Sequence, residues 1–168
     1  MNKIFFITGP AGVGKTTVSR QVAEQLEKSV LLEGDSFYHH VVSSYVPAWK
    51  EGNHLDTFWK VCTDTIITYL NAGYDVVFNY IIEYEKFNEL KEIFKDYDTK
   101  FIVLITDEKT LLERDKLREE DCRMNDRCLV LLEKFLKSNF DAKFLLDTSN
   151  MTSKQATEVI VSENRFLI

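Results

Sequence analysis

Nine consecutive residues near the start of the chain carry the clearest chemical pattern, Gly9-Pro10-Ala11-Gly12-Val13-Gly14-Lys15-Thr16-Thr17. They fill every fixed position of the phosphate-binding loop G-x-x-x-x-G-K-[ST]. Glycines let the backbone turn successive N–H groups inward, forming a nest for phosphate oxygens at a helix N-terminus. Lys15 would bring its charge to the β and γ phosphates of a nucleotide, and the Thr16 hydroxyl would bind Mg²⁺. The predicted nucleotide-binding residues are Gly9, Ala11, Gly12, Val13, Gly14, Lys15, Thr16 and Thr17.

Short apolar runs alternate with segments of helical period along the rest of the chain. This alternation is typical of an α/β fold, in which helices connect the strands of a parallel sheet. The strands have little polar alternation, as expected when both faces are covered. They are predicted at 3–8, 30–32, 76–82, 101–106 and 144–146. The apolar positions that predict helices are Val18, Val22 and Leu26; Phe58, Cys62 and Ile66; Phe87, Leu90 and Phe94; Leu131, Phe135 and Leu136; and Ala156, Val159 and Ile160, the last helix having a capping box of Thr152 and Gln155.

Length and composition limit the class of protein. The 168 residues suit one domain spanning 1–168, and 45% hydrophobic with 29% charged residues excludes a disordered chain. With a net charge of −6, the protein does not have the excess of basic residues that general nucleic-acid binding requires. Glycine and proline interrupt the first apolar run, so we expect a cytoplasmic protein with no membrane partner. Cys62, Cys122 and Cys128 form no CxxC pair and are expected to be free thiols.

The loop between the first predicted strand and helix resembles that of the P-loop small-molecule and nucleotide kinases. This group holds shikimate, gluconate and nucleoside monophosphate kinases and chloramphenicol phosphotransferase. The resemblance covers the whole chain, sharply in the loop and as a matching order of weaker features elsewhere. It implies a three-layer P-loop NTPase fold with sheet order 2-3-1-4-5, helices on both faces and a short Arg-rich lid. A GTPase is excluded because no N-K-x-D sequence occurs, and 168 residues do not hold the extra domains of motor or large AAA ATPases.

Two polar residues follow predicted strands that border the loop. Asp35, in Glu33-Gly34-Asp35-Ser36, looks like the Gly-Asp element of these kinases. Strand ends point into the ligand crevice of a parallel sheet, so Asp35 would accept the proton of an acceptor hydroxyl or hold the magnesium water shell. The other interpretation of Asp35 is a helix cap. Asn79 stands where many relatives have a Walker B carboxylate, and an amide is a weaker partner for Mg²⁺.

Four arginines lie in a highly charged segment at 113–127, which is expected to be exposed and mobile. By itself such a segment is a solvated helix surface. The resemblance implies a lid at about 114–127, whose arginines close over the triphosphate and neutralise charge during transfer. Arg114 and Arg118, spaced i, i+4, match the family's lid entry better than the other two. The predicted catalytic residues are Lys15, Asp35, Arg114, Arg118, Arg123 and Arg127, and the predicted metal ligands are Thr16 and Asp35.

Aromatic residues are dense at 36–59, where the resemblance implies the acceptor-binding insertion. Phe58 and Trp59 are expected in the core. His39, His40, Tyr45 and Trp49 fit either the core or a wall for a small organic molecule or nucleobase. The spacing of the three histidines, which include His54, does not favour a zinc site. After the fifth strand, 147–150 would pack against adenine in this family, although a plain turn explains those residues equally well.

The sequence therefore predicts an ATP- and Mg²⁺-dependent kinase that transfers the γ-phosphate to a small-molecule or nucleoside or nucleotide acceptor. The alternative is a regulatory nucleotide-binding protein with weak or no transfer, which Asn79 favours. A polynucleotide end kinase conflicts with the acidic charge balance. The identity of the acceptor and the oligomeric state stay open.

Overall fold

Five parallel strands form the central sheet in the order β2-β3-β1-β4-β5, in a computed structural model that describes residues 2–120 and 123–168. Neighbouring strands pair in parallel, with Ile7 beside Asn79 and Glu33 beside Asn79 in the register. The sheet order expected from the kinase resemblance is thereby confirmed. The strands are β1 Lys3–Thr8, β2 Ser29–Glu33, β3 Asp75–Asn79, β4 Asp98–Ile105 and β5 Leu145–Asp147.

Helices cover both faces of this sheet, and each face has its own apolar core. Ile4 and Phe6 of β1 lie in one core, and Phe5 and Ile7 lie in the other, because successive strand residues point to opposite faces. Among the described residues, 3₁₀ turns at Ala142–Phe144 and Asn164–Phe166 lie before the last strand and after the last helix. The helices are α1 Lys15–Gln25, α2 Gly34–Tyr38, α3 Leu55–Asn71, α4 Tyr84–Ile93, α5 Glu108–Lys116, α6 Asp126–Leu136 and α7 Ser153–Ser162.

Some element boundaries and faces differ from the sequence prediction. Strand β3 ends at Asn79 instead of 82, and the N–H of Ile82 donates to Thr8 Oγ1 at 2.8 Å. Leu136 was expected on the buried face of α6 but is 58% exposed. The buried face of α6 is formed by Cys128, Leu132 and Phe135, which are spaced i, i+4 and i+7 along the helix. Leu136 lies to the side of this face. The capping box at the start of α7 is confirmed.

The cysteines and the helices give two further findings. Cys62 and Cys128 are free and buried, and burial raises the pKa of the Cys62 thiol to about 12. The free thiol predicted at Cys122 lies outside the described residues. No helix within 2–120 or 123–168 has both the length and the apolar character that membrane crossing requires.

Candidate active site

The phosphate-binding loop follows β1 and leads directly into α1. Gly9 has φ 139°, and a Cβ there would lie 2.3 Å from the carbonyl oxygen of Leu104 in β4. Gly14, the N-cap of α1, has φ 106°, a left-handed conformation that other residues rarely adopt. Gly9 is thus required because the Leu104 carbonyl leaves no space for a side chain, and Gly14 is required by its left-handed backbone conformation.

Lys15 lies over the loop that it follows. Its Nζ donates to the carbonyl oxygens of Gly9 at 3.0 Å and Pro10 at 2.9 Å. Burial lowers the pKa of Lys15 to about 8, an effect that the Asp35 carboxylate opposes and the Arg118 guanidinium reinforces. A cation in this position is poorly solvated, so an incoming phosphate would be a better partner than the two carbonyls.

Asp35 lies in the first turn of α2, just beyond the end of β2. The preceding Gly34 is in contact with Tyr80, since a Cβ at Gly34 would come within 2.7 Å of the Tyr80 ring. The N-cap of α2 is Glu33, and its side chain makes no capping bond. Asp35 is therefore no helix cap. It is exposed and lines the same cleft as Lys15.

Asn79 ends β3 and is 3% exposed. Its Nδ2 is buried without a hydrogen-bond partner among the described residues, as are Glu33 Oε1 on the neighbouring strand and Ser19 Oγ in α1. Buried polar atoms without a protein partner are usually bonded to ordered water. Thr16 is exposed in the first turn of α1.

Thr16 and Asp35 both line the cleft, as a magnesium site built from one hydroxyl and one carboxylate would require. Mg²⁺ keeps several waters and is usually bound by one or two carboxylates together with substrate phosphates. Within the described ranges no cluster of three His, Cys, Asp or Glu side chains could hold a metal by itself. The residues present therefore fit Mg²⁺ carried by a nucleotide better than a separate protein-bound ion.

Arg114 joins the loop to the turn after β5. It donates to the Val13 carbonyl at 3.0 Å, to Thr148 Oγ1 at 3.0 Å and to the Thr148 carbonyl at 2.9 Å. Both Arg114 and Thr148 line the cleft. Arg114 thus fixes the turn at 147–150 relative to the phosphate-binding loop.

A buried carboxylate organises the charged segment that was expected to be wholly exposed. Asp115 is 2% exposed and accepts hydrogen bonds from the backbone N–H groups of Met124 at 3.0 Å and Asn125 at 2.8 Å. Arg118 Nη1 lies 3.4 Å from the same carboxylate. Burial alone would raise the pKa of Asp115, but these hydrogen bonds and the Arg118 charge outweigh it and hold the pKa low.

The arginines of this segment are not brought to one point. Arg118 follows the end of α5 at Lys116, so the expected pairing with Arg114 on one helix face is wrong. Arg123 donates from Nε to the Arg118 carbonyl at 3.0 Å. The guanidinium carbon of Arg127 lies 3.6 Å from the centre of the Trp49 ring. Arg114, Arg118 and Arg127 line the cleft, and closure of this segment over a nucleotide stays a prediction.

Aromatic side chains form the other end of the cleft. Tyr38 stacks on His54 at 4.1 Å between ring centres, and His39 stacks on Tyr45 at 5.4 Å. Trp49 is 60% exposed, so it does not fill the core. His39, His40 and Tyr45 are exposed as well, whereas Phe58 and Trp59 are buried as expected. The whole cleft has a volume of about 1240 Å³ and is lined at this end by Tyr38, His39, Tyr45, Trp49, Trp59 and Tyr80.

Comparison with protein families assigns the chain. A family model described as an AAA domain matches residues 5–144. The chain belongs to this AAA domain family. The matched family model is a single AAA domain, so the match does not require the additional domains of large AAA ATPases. No curated protein matches the chain.

Solved structures resemble this AAA domain over nearly its whole length. A sugar kinase from Janibacter sp. HTCC2649 has a TM-score of 0.70 at 15% identity, with 94% of this chain and 91% of that chain covered. The Deinococcus radiodurans tunicamycin resistance protein has a TM-score of 0.70 at 20% identity, with 96% and 95% covered. A gluconokinase from Sinorhizobium meliloti 1021 has a TM-score of 0.65 at 19% identity, with 93% and 87% covered. At these identities the likeness establishes the fold, which is the expected P-loop kinase fold.

Two residues that shape the site of this AAA domain, Asp115 beneath the charged segment and Tyr80 in the cleft lining, were missed by sequence reasoning. Asp115 follows Leu111 by four positions on the buried face of α5, a spacing that could have indicated its burial. Tyr80 comes directly after Asn79, and only the contact with Gly34 across the sheet edge brings it to Asp35. No pattern among neighbouring residues in the sequence predicts that contact.

Proposed function

We propose that the protein is an ATP- and Mg²⁺-dependent phosphotransferase that acts on a hydroxyl or phosphate of a small molecule, nucleoside or nucleotide. The observation that carries the proposal is one continuous cleft with a phosphate-binding loop at one end and an aromatic wall at the other. Asp35 lies in that cleft and is electrostatically coupled to Lys15. A cleft of this kind can hold a phosphate donor and an acceptor at the same time.

The phosphate-binding loop, together with Asp35, would bind the phosphates of the donor and the metal that they carry. The loop N–H groups and the Lys15 ammonium bind and orient the donor's phosphates, and the lost contacts to Gly9 and Pro10 are replaced by phosphate oxygens. Mg²⁺ bound with the nucleotide would neutralise phosphate charge, and Thr16 and Asp35 are the residues that would hold it or its water shell.

Asp35 is proposed to accept the proton of the acceptor's hydroxyl as the oxygen attacks the γ-phosphorus. Arg118 and Arg127, which line the same cleft, would stabilise the charge on the transferred group. Arg114 holds the turn at Thr148 against the loop and so positions the nucleotide end of the cleft.

ADP release separates this function from its rival. Asp35→Asn should leave ATP binding largely intact but lower acceptor-dependent turnover by about 10² to 10⁴, the range for loss of a general base. Asn79→Asp should keep or raise turnover, because it restores a carboxylate beside the magnesium site. Acceptor-dependent turnover that is indifferent to Asp35→Asn would remove this residue from the mechanism.

A regulatory nucleotide-binding protein with weak or no transfer is the second candidate. The buried Asn79 amide favours it, since its unpaired Nδ2 stands where a metal-binding carboxylate is expected. This function predicts nucleotide binding without acceptor-dependent ADP release. In that case Asn79→Asp would at most create slow ATP hydrolysis.

A further inference from the structure

The Tyr80 hydroxyl is a polar group that the proposed mechanism does not use. Tyr80 is 7% exposed and lines the cleft, and its ring packs on Phe58 at 4.6 Å between ring centres. Its hydroxyl makes no hydrogen bond to residues 2–120 or 123–168, and since its oxygen is not one of the fully buried unpaired atoms, it is open to the cleft. Burial raises the pKa of Tyr80, and the nearby Asp35 carboxylate raises it further. Tyr80 and Asp35 both line the cleft, and a phenol that is open to the cleft can donate a hydrogen bond to a ligand oxygen there.

The charges at the aromatic end of the cleft are unevenly balanced. Its two lysines already have carboxylate partners, since Lys134 pairs with Glu83 at 2.5 Å and Lys86 pairs with Glu89. The charge of each lysine is thus partly balanced by a neighbouring acid.

Two acids at this end have no such partner. Asp56 and Glu85 line the cleft, are exposed and form no ion pair in the part of the chain that the structure describes. They lie in the first turns of α3 and α4, where the helix N-termini stabilise negative charge. Arg127, which also lines the cleft, lies over the Trp49 ring.

We propose that the acceptor is a ring-bearing alcohol that carries an amine and no phosphate or carboxylate, and that its reacting hydroxyl donates a hydrogen bond to Asp35 and accepts one from Tyr80. This inference rests on the proposed phosphotransfer. The aromatic wall stacks on the ring, and Asp56 and Glu85 attract the ammonium group.

The transfer step balances with these groups. The acceptor oxygen forms a bond to the γ-phosphorus of ATP, and the bond from that phosphorus to the β–γ bridging oxygen breaks. ADP leaves with that electron pair, and the hydroxyl proton passes to Asp35 and then to solvent. Tyr80 donates to the acceptor oxygen's second lone pair and so orients the first towards phosphorus, which makes it a positioning residue.

Three probes of one shape test the charge preference: 2-amino-1-phenylethanol, which is a cation, 1-phenylethane-1,2-diol, which is neutral, and mandelate, which is an anion. Both tryptophans of the chain, Trp49 and Trp59, line the cleft, so quenching of intrinsic fluorescence reports binding without any turnover. In the presence of a non-hydrolysable ATP analogue and Mg²⁺, the amine should bind about tenfold more tightly than mandelate, with the diol between them.

Variants locate the preference in the acids. Asp56→Asn combined with Glu85→Gln should reduce the ratio of amine to mandelate affinity to about threefold or less. Glu92→Gln is the matched control, since Glu92 is exposed on α4 and lies outside the cleft lining. Tighter binding of mandelate would overturn the proposal and assign Arg127 to a carboxylate of the acceptor. Failure of all three probes to quench would overturn it too.

Tyr80→Phe tests the hydroxyl separately. The ring and its packing are kept, so melting should change little, while the KM for the amine should rise and ADP release should fall by about tenfold or more. Unchanged KM and turnover would remove Tyr80 from the acceptor site. Binding of the amine without any acceptor-dependent ADP release would instead mean that the phosphotransfer proposal itself has failed.

Discussion

Replacing Asp115 by alanine should destabilise the segment that follows α5. The carboxylate accepts hydrogen bonds from the N–H groups of Met124 and Asn125, and each such bond to a charged group contributes about 1.5 to 3 kcal/mol. The Arg118 side chain is 38% exposed, so solvent screening limits its ion pair to roughly 0 to 1 kcal/mol. The sum is about 3 to 7 kcal/mol, a range that includes the cost of about 3 to 5 kcal/mol for breaking a buried ion pair.

Thermal unfolding and limited trypsin digestion measure this loss. At about 2 to 4 °C per kcal/mol for a domain of this size, the midpoint should fall by roughly 6 °C or more. If the segment opens locally before the domain unfolds, the midpoint falls less and cleavage at Arg118 and Arg123 becomes faster. Asp115→Asn keeps one acceptor oxygen and should lose about half as much stability.

Glu119→Ala provides the matched control, because it removes an exposed acid from the same segment. It should leave both the midpoint and the cleavage rate near those of the unmodified protein. If Asp115→Ala also behaves in this way, the carboxylate does not organise the segment, and the reasoning from its hydrogen bonds is refuted.

Four further outcomes are expected. Because the pKa of Asp115 is lowered by folding, its stabilisation is present above about pH 4 and is lost as the pH falls further, so urea unfolding of the unmodified protein and Asp115→Asn should converge in acid. Gly9→Ala should lower the melting midpoint by several degrees and weaken ATP binding, since its Cβ meets the Leu104 carbonyl; an unchanged midpoint would contradict the loop geometry. Arg114→Lys should reduce ATP affinity by about tenfold in calorimetry, because the fork of hydrogen bonds is lost while the charge remains. Mg-ATP should slow trypsin cleavage at Arg118, and equal cleavage with and without nucleotide would argue against lid closure.

Local patterns predicted the parts of the fold that depend on near neighbours in the chain. The phosphate-binding loop was found because glycine, lysine and threonine occur at fixed spacings between a strand and a helix. Strand β1 was predicted from a short apolar run, and the capping box from the spacing of Thr152 and Gln155. The sheet order came from the family resemblance, since alternation of strands and helices does not determine which strands are neighbours.

Contacts between distant residues explain what the sequence did not reveal. Arg127 contacts Trp49, which is far from it in the chain, so this predicted catalytic arginine lies against the aromatic wall. Asp115 looked like one more charge in a solvated segment because its partners are backbone N–H groups, which sequence patterns do not show. Tyr80 reaches Asp35 only through the packing of Gly34 at the sheet edge.

Titration calorimetry with a non-hydrolysable ATP analogue and Mg²⁺ tests the central claim most directly. The account predicts one binding site whose affinity falls by about tenfold or more in Lys15→Ala, because the ammonium over the loop is lost. Lys60→Ala, which removes an exposed lysine on α3, should bind like the unmodified protein. Equal affinity of Lys15→Ala and the unmodified protein would contradict the assignment of the loop as the nucleotide site.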